Sequence, residues 1–293
     1  MSDVTLSFDT KPAIAPAMLK ALLLPRKGFN AATGLPSISA AWNDLHIDPN
    51  ALDNYLNLLG LAATDHLPVL YPHVIAGAMH MHMLTHKAFP IRLLGAVHLK
   101  NRILQHRPIG KHEVLSLSSE MGDTRLVEKG VEFDFTTQVR VQGETVWEET
   151  TIYFMAGRFG GKENPSPQQS FDLASLDSAE EIASWSIPAN RGKQYARITG
   201  DYNPIHMSAT LAKLFGFKRD IAHGFGVLAQ AIERSQIAIE SGKKTQVDVI
   251  FKGPVYLDSS VQIQQNQAQD AARFDLYCGD NPKPSICAAV LSV

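Results

Sequence analysis

The chain has 293 residues, of which 45% are apolar and 19% charged, a composition that supports a sizeable core and excludes a disordered protein. Its 27 Lys and Arg against 29 Asp and Glu give a net charge of −2, so it lacks the positive charge typical of a nucleic-acid binder. Its two cysteines, Cys278 and Cys287, are too few for a disulfide framework and favour a reducing compartment.

The sequence also argues against a membrane protein. Residues 55–84 form the most apolar region, but polar residues and prolines interrupt it before it reaches about 18 residues. A secretory signal is not expected either, because Asp3 and Asp9 stand where a positive charge is needed and prolines follow at Pro12 and Pro16. We therefore expect no membrane partner and a cytoplasmic location.

In chain order, the first elements are a helix and a group of strands. The apolar stretch 74–86 predicts a helix, and residues 94–103 predict a strand after it. Residues 131–136, VEFDFT, alternate apolar and polar side chains as a half-buried strand does. A turn at Gln142-Gly143 leads to a further strand over residues 146–155.

A change of composition then divides the chain. Residues 157–170, GRFGGKENPSPQQS, carry no apolar periodicity and read as a linker. We predict a first domain over residues 1–156, a linker over 157–180 and a second domain over 181–293, and we refer to the two domains as the first and second halves.

The second half repeats the order of the first. Residues 224–239 predict a helix with Val227, Leu228, Ala231 and Ile232 on one side, and strands follow over residues 247–251, 261–263, 273–277 and 286–291. Short strings also recur about half a chain apart, IAG at 75–77 with IAHG at 221–224, and HLK at 98–100 with IFK at 250–252. Together these patterns favour a duplicated α+β fold, each half one long helix against a strongly bent antiparallel sheet.

The segment richest in chemistry is 195–226, YARITGDYNPIHMSATLAKLFGFKRDIAHGFG. Asn203 is a good helix N-cap and Pro204 suits the first helical position. Apolar residues further on (Leu211, Leu214 and Phe215) predict a buried face on a short helix that ends at Gly216.

This helix start brings a carboxylate and an imidazole together. Asp201 precedes the cap and His206 lies in the first turn, so both belong to one end of one element. Such a pair suits acid–base work on a water molecule, and the helix dipole favours an ionised Asp201 and a neutral His206. Spacing alone leaves open that Asp201 is an ordinary loop residue and His206 a solvated one.

His223-Gly224 opens the long helix of the second half. A glycine at a helix start allows a ligand to approach the backbone, and its N–H can stabilise an oxyanion on a thioester substrate. An ordinary glycine turn is the alternative.

The string as a whole resembles the signature of the MaoC-type dehydratases, also called (R)-specific enoyl-CoA hydratases or hydratase 2. The resemblance rests on YA at 195–196, TGDYNPIH at 199–206, GF at 216–217, IAHG at 221–224 and FKGPV at 251–255. It departs from the family at Thr199, where Ser is common, and at Ser208, near which an acidic residue is common. The first half is similar to the degenerate N-terminal repeat of double-hotdog members.

The resemblance implies a tandem hotdog fold and reversible addition of water to trans-2-enoyl thioesters. It implies that Asp201 and His206 are the acid–base pair, that the Gly224 N–H polarises the thioester carbonyl, and that Asn203, His223 and Tyr195 contact the substrate. The implied partner is an acyl thioester of coenzyme A or acyl carrier protein, with no metal or redox cofactor, and a homodimer is possible. A hotdog thioesterase and a non-catalytic acyl-binding module are the alternatives.

Histidines are concentrated in the first half, where nine of the eleven fall between His46 and His112. His82 and His86 have a spacing that can bind zinc, but no further ligand clusters near them in the sequence. We therefore interpret these histidines as core or interface residues.

Overall fold

The computed structural model describes residues 3–17, 26–91, 96–161, 173, 176, 179–235, 237, 243–268 and 271–293. None of the helices in these residues is both long enough and apolar enough to cross a membrane.

Eleven strands are present in the described residues: β1 (Val4–Phe8), β2 (Ile38–Leu45), β3 (Ala96–Gln105), β4 (Leu115–Val127), β5 (Gly130–Val141), β6 (Glu144–Ala156), β7 (Glu180–Ile187), β8 (Thr245–Phe251), β9 (Ser259–Ala268), β10 (Ala271–Cys278) and β11 (Ile286–Ser292). They form one sheet in the order β1-β2-β4-β5-β6-β3-β8-β11-β10-β9-β7. The predicted antiparallel pairing holds throughout except at one edge, where β1 pairs parallel with β2.

Within the described ranges, the following helices accompany the sheet: α1 (Pro49–Leu59), α2 (Tyr71–Thr85), α3 (Arg191–Thr199), α4 (Pro204–Met207), α5 (Ala209–Leu214) and α6 (Gly224–Arg234). Residues 14–17 add a helical turn. The predicted α+β class is confirmed, with α2 and α6 as the two expected helices.

The two halves meet where their sheets join. β3 of the first half pairs antiparallel with β8 of the second, with Lys100 opposite Ile250 and Gln105 opposite Thr245. All first-half strands lie on one side of this junction and all second-half strands on the other. β6 ends at Ala156 and β7 begins at Glu180, but most residues between them lie outside the described residues, so the domain boundaries remain a prediction.

The core forms where α2 and α6 pack on the inner face of this sheet. Met79 and Met83 of α2 are fully buried, and so are Phe133 and Phe135 of β5. On α6 the predicted face is confirmed, since Val227, Leu228 and Ala231 are buried and Ile232 packs against the core. Burying an aliphatic side chain of this kind stabilises the fold by about 1.5–3 kcal/mol.

One predicted helix is wrong in extent. The segment from Pro204 to Gly216 forms two short helices, α4 and α5, because Ser208 between them is extended at φ −160° and ψ 136°. The prediction of a buried apolar face on this segment is also wrong, since Leu214 is 76% exposed. Serine hydrogen-bonds readily outside helices, so it interrupts a helix at low cost.

The other helix limits differ by smaller amounts. α2 begins at Tyr71, three residues earlier than residue 74, because Pro72 fits the first turn of a helix. The described part of α6 ends at Arg234, while the predicted helix reaches residue 239, and residues 236 and 238–239 lie outside the described residues.

Candidate active site

Asp201 is held in a short loop between α3 and α4. Its backbone N–H donates to the Thr199 hydroxyl at 3.2 Å, and its Oδ1 accepts from the Asn203 N–H at 3.1 Å. The carboxylate is 40% exposed. One oxygen is therefore anchored by the loop, and the carboxylate stays accessible.

Asn203 caps α4, as the sequence predicts. Its Oδ1 accepts from the Ile205 N–H at 3.4 Å, and Pro204 occupies the first helical position. Asn203 also lines the cavity described below, but its amide oxygen is used to hold the loop. Contact between Asn203 and the substrate remains a prediction.

His206 is buried, and its proton is fixed on one nitrogen. Nδ1 lies 2.8 Å from the Ile221 carbonyl oxygen, and because a carbonyl only accepts, Nδ1 carries the hydrogen. Burial lowers the pKa of His206, although Asp201 and this carbonyl partly oppose the shift. The imidazole is therefore neutral near pH 7, with a free lone pair on Nε2.

Asp201 and His206 lie close enough to share one water molecule. A carboxylate oxygen of Asp201 and a ring nitrogen of His206 lie within 4.8 Å of each other. A water that forms a hydrogen bond of about 2.8 Å to each side, at a near-tetrahedral angle, spans about 4.6 Å. Asp201 and His206 can therefore hold one water between them.

His223 contacts both members of this pair. Its Nε2 donates to the Asp201 backbone carbonyl at 3.0 Å, and its ring stacks on His206 with centroids 3.7 Å apart. The ring also lies 4.6 Å from Tyr195. Burial, together with His206, lowers the pKa of His223 to about 3, so this imidazole is neutral.

Gly224 is the first residue of α6, where a backbone N–H has no acceptor within the helix. His223, at the N-cap position, forms no side-chain cap hydrogen bond. A Cβ atom on Gly224 would lie 2.6 Å from Cε1 of Phe251, so only glycine fits against that ring. The amide is thus available to a ligand at the positive end of the helix dipole.

A single cavity of about 480 Å³ joins these groups. All six residues predicted for the site line it: Asp201, Asn203, His206, His223, Gly224 and Tyr195. The first half contributes to the wall through α2, β3 and β6, with His73, His80, Met81, Val97, His98 and Tyr153. The concentration of histidines in the first half was visible in the sequence, but which of them line the cavity was not.

Gly192 positions His206 and was also missed by sequence reasoning. A Cβ at Gly192 would lie 2.1 Å from the His206 backbone oxygen, so α3 packs directly on the backbone of α4. Nothing in the local pattern signals this approach, because it depends on how two helices pack.

The donor set of the site permits a metal. Asp201, His206 and His223 are the one group of three close potential ligands among the residues that the structure describes. The His206 and His223 rings stack, and one nitrogen of each donates to a carbonyl, so each histidine has one nitrogen left for a metal. His82, considered for zinc, instead bonds the Ala13 carbonyl at 3.0 Å.

The fold and this site together define a class, the double-hotdog proteins with an Asp–His pair in the second repeat. Residues 179–286 match the MaoC like domain family. The chain is 29% identical over 228 residues to 3-hydroxyacyl-thioester dehydratase X of Mycobacterium tuberculosis, covering 77% of this chain and 79% of that protein. The second half of the chain thus matches the MaoC like domain family, and the similarity to the dehydratase extends over a longer part of the chain than that match.

Solved structures support the fold. The crystal structure of HtdX of M. tuberculosis matches with a TM-score of 0.75 at 24% identity, over 87% of this chain and all of that one (100%). The peroxisomal multifunctional enzyme type 2 of Drosophila melanogaster matches with a TM-score of 0.70 at 16% identity, over 88% of this chain and 48% of that one. A double-hotdog protein of M. tuberculosis also matches, with a TM-score of 0.55 at 10% identity over 93% of this chain and 97% of that one, and the predicted tandem hotdog fold is thereby confirmed.

Proposed function

We propose that the protein catalyses the reversible hydration of trans-2-enoyl thioesters to (3R)-hydroxyacyl thioesters, and is thus a hydro-lyase. The match of its second half to the MaoC like domain family supports the reaction class, and its similarity to a 3-hydroxyacyl-thioester dehydratase supports the substrate class. The observation that carries the proposal is that Asp201 and His206 lie close enough to share one water in a cavity that also contains the Gly224 amide.

In this reaction the water between Asp201 and His206 donates a hydrogen bond to each. Its oxygen forms a bond to C3 of the enoyl group, and its proton passes to the pair, where the free Nε2 of neutral His206 can accept it. The electrons of the double bond move onto the thioester as an enolate. The pair then returns a proton to C2 from the same face, so a C–O and a C–H bond replace the double bond.

In this scheme the backbone N–H of Gly224 stabilises the enolate. Negative charge develops on the thioester oxygen as water attacks, and a fixed N–H at a helix start stabilises that charge without rearranging. His223 holds the Asp201 loop through its hydrogen bond to the Asp201 carbonyl and the His206 ring through stacking, and Tyr195 packs against the His223 ring. Dehydration is the same sequence reversed.

The reaction needs neither a metal nor a redox cofactor, because the thioester already acidifies the proton on C2. Coenzyme A or acyl carrier protein enters as part of the substrate, and we expect the enzyme to act in the cytoplasm. A homodimer remains a prediction.

The experiment is a hydration assay with crotonyl-CoA and longer enoyl-CoAs, which follows the loss of enoyl absorbance. We expect activity in the native chain and its loss in Asp201→Asn and His206→Gln, with both variants folded by circular dichroism. A thiol-trapping arm separates the thioesterase alternative, since hydration releases no thiol. Ligand-dependent thermal stabilisation without any turnover would instead identify an acyl-binding module.

A further inference from the structure

A second group of imidazoles lines the same cavity, and the hydration scheme does not use it. His73 and His80 lie on α2, seven residues apart on one face, and His98 lies on β3. We call these three residues the histidine wall. Behind it, the fully buried carboxylate of Glu149 contacts both His73 Nδ1 and the Asn101 amide.

The histidine wall lies beside the catalytic end of the cavity. The His73 ring stacks on Phe225, the residue after Gly224, with centroids 3.5 Å apart and planes 11° apart. His98 lies 5.3 Å from the same ring. An acyl chain whose thioester carbonyl reaches the Gly224 amide and whose tail enters the first half passes along these imidazoles.

The network around the wall is incomplete. His80 Nε2 bonds the Thr137 hydroxyl at 2.8 Å, but its Nδ1 is buried without a hydrogen-bond partner among the described residues. Glu149 Oε2 and Asn101 Oδ1 are buried and unpartnered in the same way. Buried polar atoms are normally satisfied. Of these three residues only His80 lines the cavity, so its imidazole is the part of the network that a polar group in the cavity would meet.

The charge of the wall decides which kind of group fits. Burial lowers the pKa of His80 to about 4 and that of His98 to about 3, so both are neutral at pH 7. A neutral imidazole offers one donor and one acceptor nitrogen. The Glu149 anion is already paired with His73, and a second anion nearby would be repelled by it.

The rest of this wall is apolar. Met81 and Leu84 of α2 and Val97 of β3 line the cavity beside the imidazoles. An unsubstituted alkyl chain suits these side chains but leaves His80 Nδ1 without a partner, which is unfavourable in a dry pocket. An acyl chain that carries one hydroxyl suits both the apolar side chains and the imidazoles of the wall.

Resting on the proposed function, we propose that the histidine wall is a substrate subsite for a neutral hydrogen-bonding group, a hydroxyl on the acyl chain. The subsite is contributed by the first half, so the half without the catalytic pair selects the substrate on which that pair acts.

The test compares trans-2-enoyl-CoAs of increasing chain length, each unsubstituted, with a terminal hydroxyl or with a terminal carboxylate. For the best length, we expect the native chain to give a kcat/KM about tenfold higher with the hydroxyl than without it, as one added hydrogen bond allows. The carboxylate should be the poorest of the three.

Two variants locate the effect. His80→Gln retains a polar group at the position of Nε2, within reach of Thr137, but lacks Nδ1, and His98→Phe keeps a ring against Phe225 while removing both nitrogens. Each should reduce the hydroxyl preference, and the double variant should abolish it. Met81→Leu is the matched control, because it changes the shape of the cavity but not its polarity. The kcat/KM values for the hydroxylated and the unsubstituted substrate should therefore change in parallel, and their ratio should stay constant.

The outcomes separate this proposal from the hydration proposal. If no enoyl-CoA is hydrated, the hydration proposal fails, and calorimetry with saturated acyl-CoAs, with and without the hydroxyl, still measures the subsite. If unsubstituted substrates are hydrated and the hydroxyl gives no advantage, the subsite alone is refuted. A preference for the carboxylate, or a hydroxyl preference that survives in the double variant, also overturns it.

Discussion

Two carboxylate–imidazole pairs, one from each half, lie at the cavity or directly behind its wall, and they are built in opposite ways. In the second half, Asp201 is 40% exposed and lies within 4.8 Å of His206, within reach of a bridging water. In the first half, the Glu149 carboxylate is fully buried and contacts His73 directly. The same two residue types thus form an open pair and a closed pair.

The difference shows that spacing, rather than residue identity, decides what such a pair can do. The two members of the open pair make no direct hydrogen bond to each other in the described structure, and Nε2 of His206 retains a free lone pair. In the closed pair one Glu149 oxygen contacts His73 directly, so there is no room for a reactant between them, and His73 is held against Phe225. We therefore expect the open pair to control rate and the closed pair to control stability.

Exchanging each carboxylate for its amide should separate these roles most strongly. Asp201→Asn removes a proton acceptor at the reacting water, and we expect kcat/KM for an unsubstituted enoyl-CoA to fall about 10²–10⁴-fold with little change in stability. Glu149→Gln should leave kcat/KM within about tenfold, but should lower the free energy of unfolding by about 1.5–3 kcal/mol. Initial rates and urea unfolding measure the two effects.

The exposed carboxylate of Asp258 provides the control for this exchange. It is 71% exposed and belongs to neither pair, so Asp258→Asn should change neither rate nor stability. If Glu149→Gln lowered the rate as much as Asp201→Asn does, the two pairs would share one role and the contrast would not hold.

The open pair could be predicted from sequence because its members are local. Asp201, Asn203 and His206 lie within six residues, and the Asn203 cap brings them together as expected. The break at Ser208 was not expected, because Leu211 and Leu214 have helical spacing although the fold leaves Leu214 at the surface. Periodicity alone does not tell whether a partner surface will be present.

The closed pair could not be predicted because its members are distant in the chain. Glu149 is on β6 and His73 is on α2, and they meet only when the helix packs on the sheet. Gly192 is similar, since its contact with the His206 carbonyl depends on the packing of α3 against α4. Local sequence patterns predict helix caps and turns, whereas the Glu149–His73 and Gly192–His206 contacts depend on tertiary packing.

Gly192→Ala disturbs the open pair without changing either of its members. The added Cβ would meet the His206 backbone oxygen at 2.1 Å, and backbone cannot move aside as a side chain can. Since a displacement of about 1 Å can cost about 10²-fold in rate, we expect kcat to fall by about that factor. Gly110→Ala, where the nearest side-chain atom is 3.4 Å away, should retain full activity.

The pH dependence of the rate tests the protonation state of the open pair. Burial lowers the pKa of His206, so the neutral form that accepts a proton is present at neutral pH and is lost on acidification. We expect kcat/KM for hydration to be level near pH 7 and to decline only below about pH 6.5. Because His206→Gln has no imidazole to protonate, its residual rate should lack this decline, and a decline of the same shape would assign it to another group.

The pH dependence of stability tests the charge of the closed pair and has the smallest expected effect. Burial alone raises the pKa of Glu149, but the opposing effects of His73, His80 and Asn101 are larger, and the net result is a pKa lowered to about 2. An unfolded glutamate titrates near pH 4.3, so the folded state binds fewer protons between these values. The stabilisation is therefore complete above about pH 5 and is lost as the pH falls towards the folded pKa. In urea unfolding, the native chain should be more stable than Glu149→Gln at pH 6, and this difference in the free energy of unfolding should shrink at pH 3 to 4. A difference independent of pH would mean that Glu149 is protonated in the folded protein and that the closed pair carries no charge.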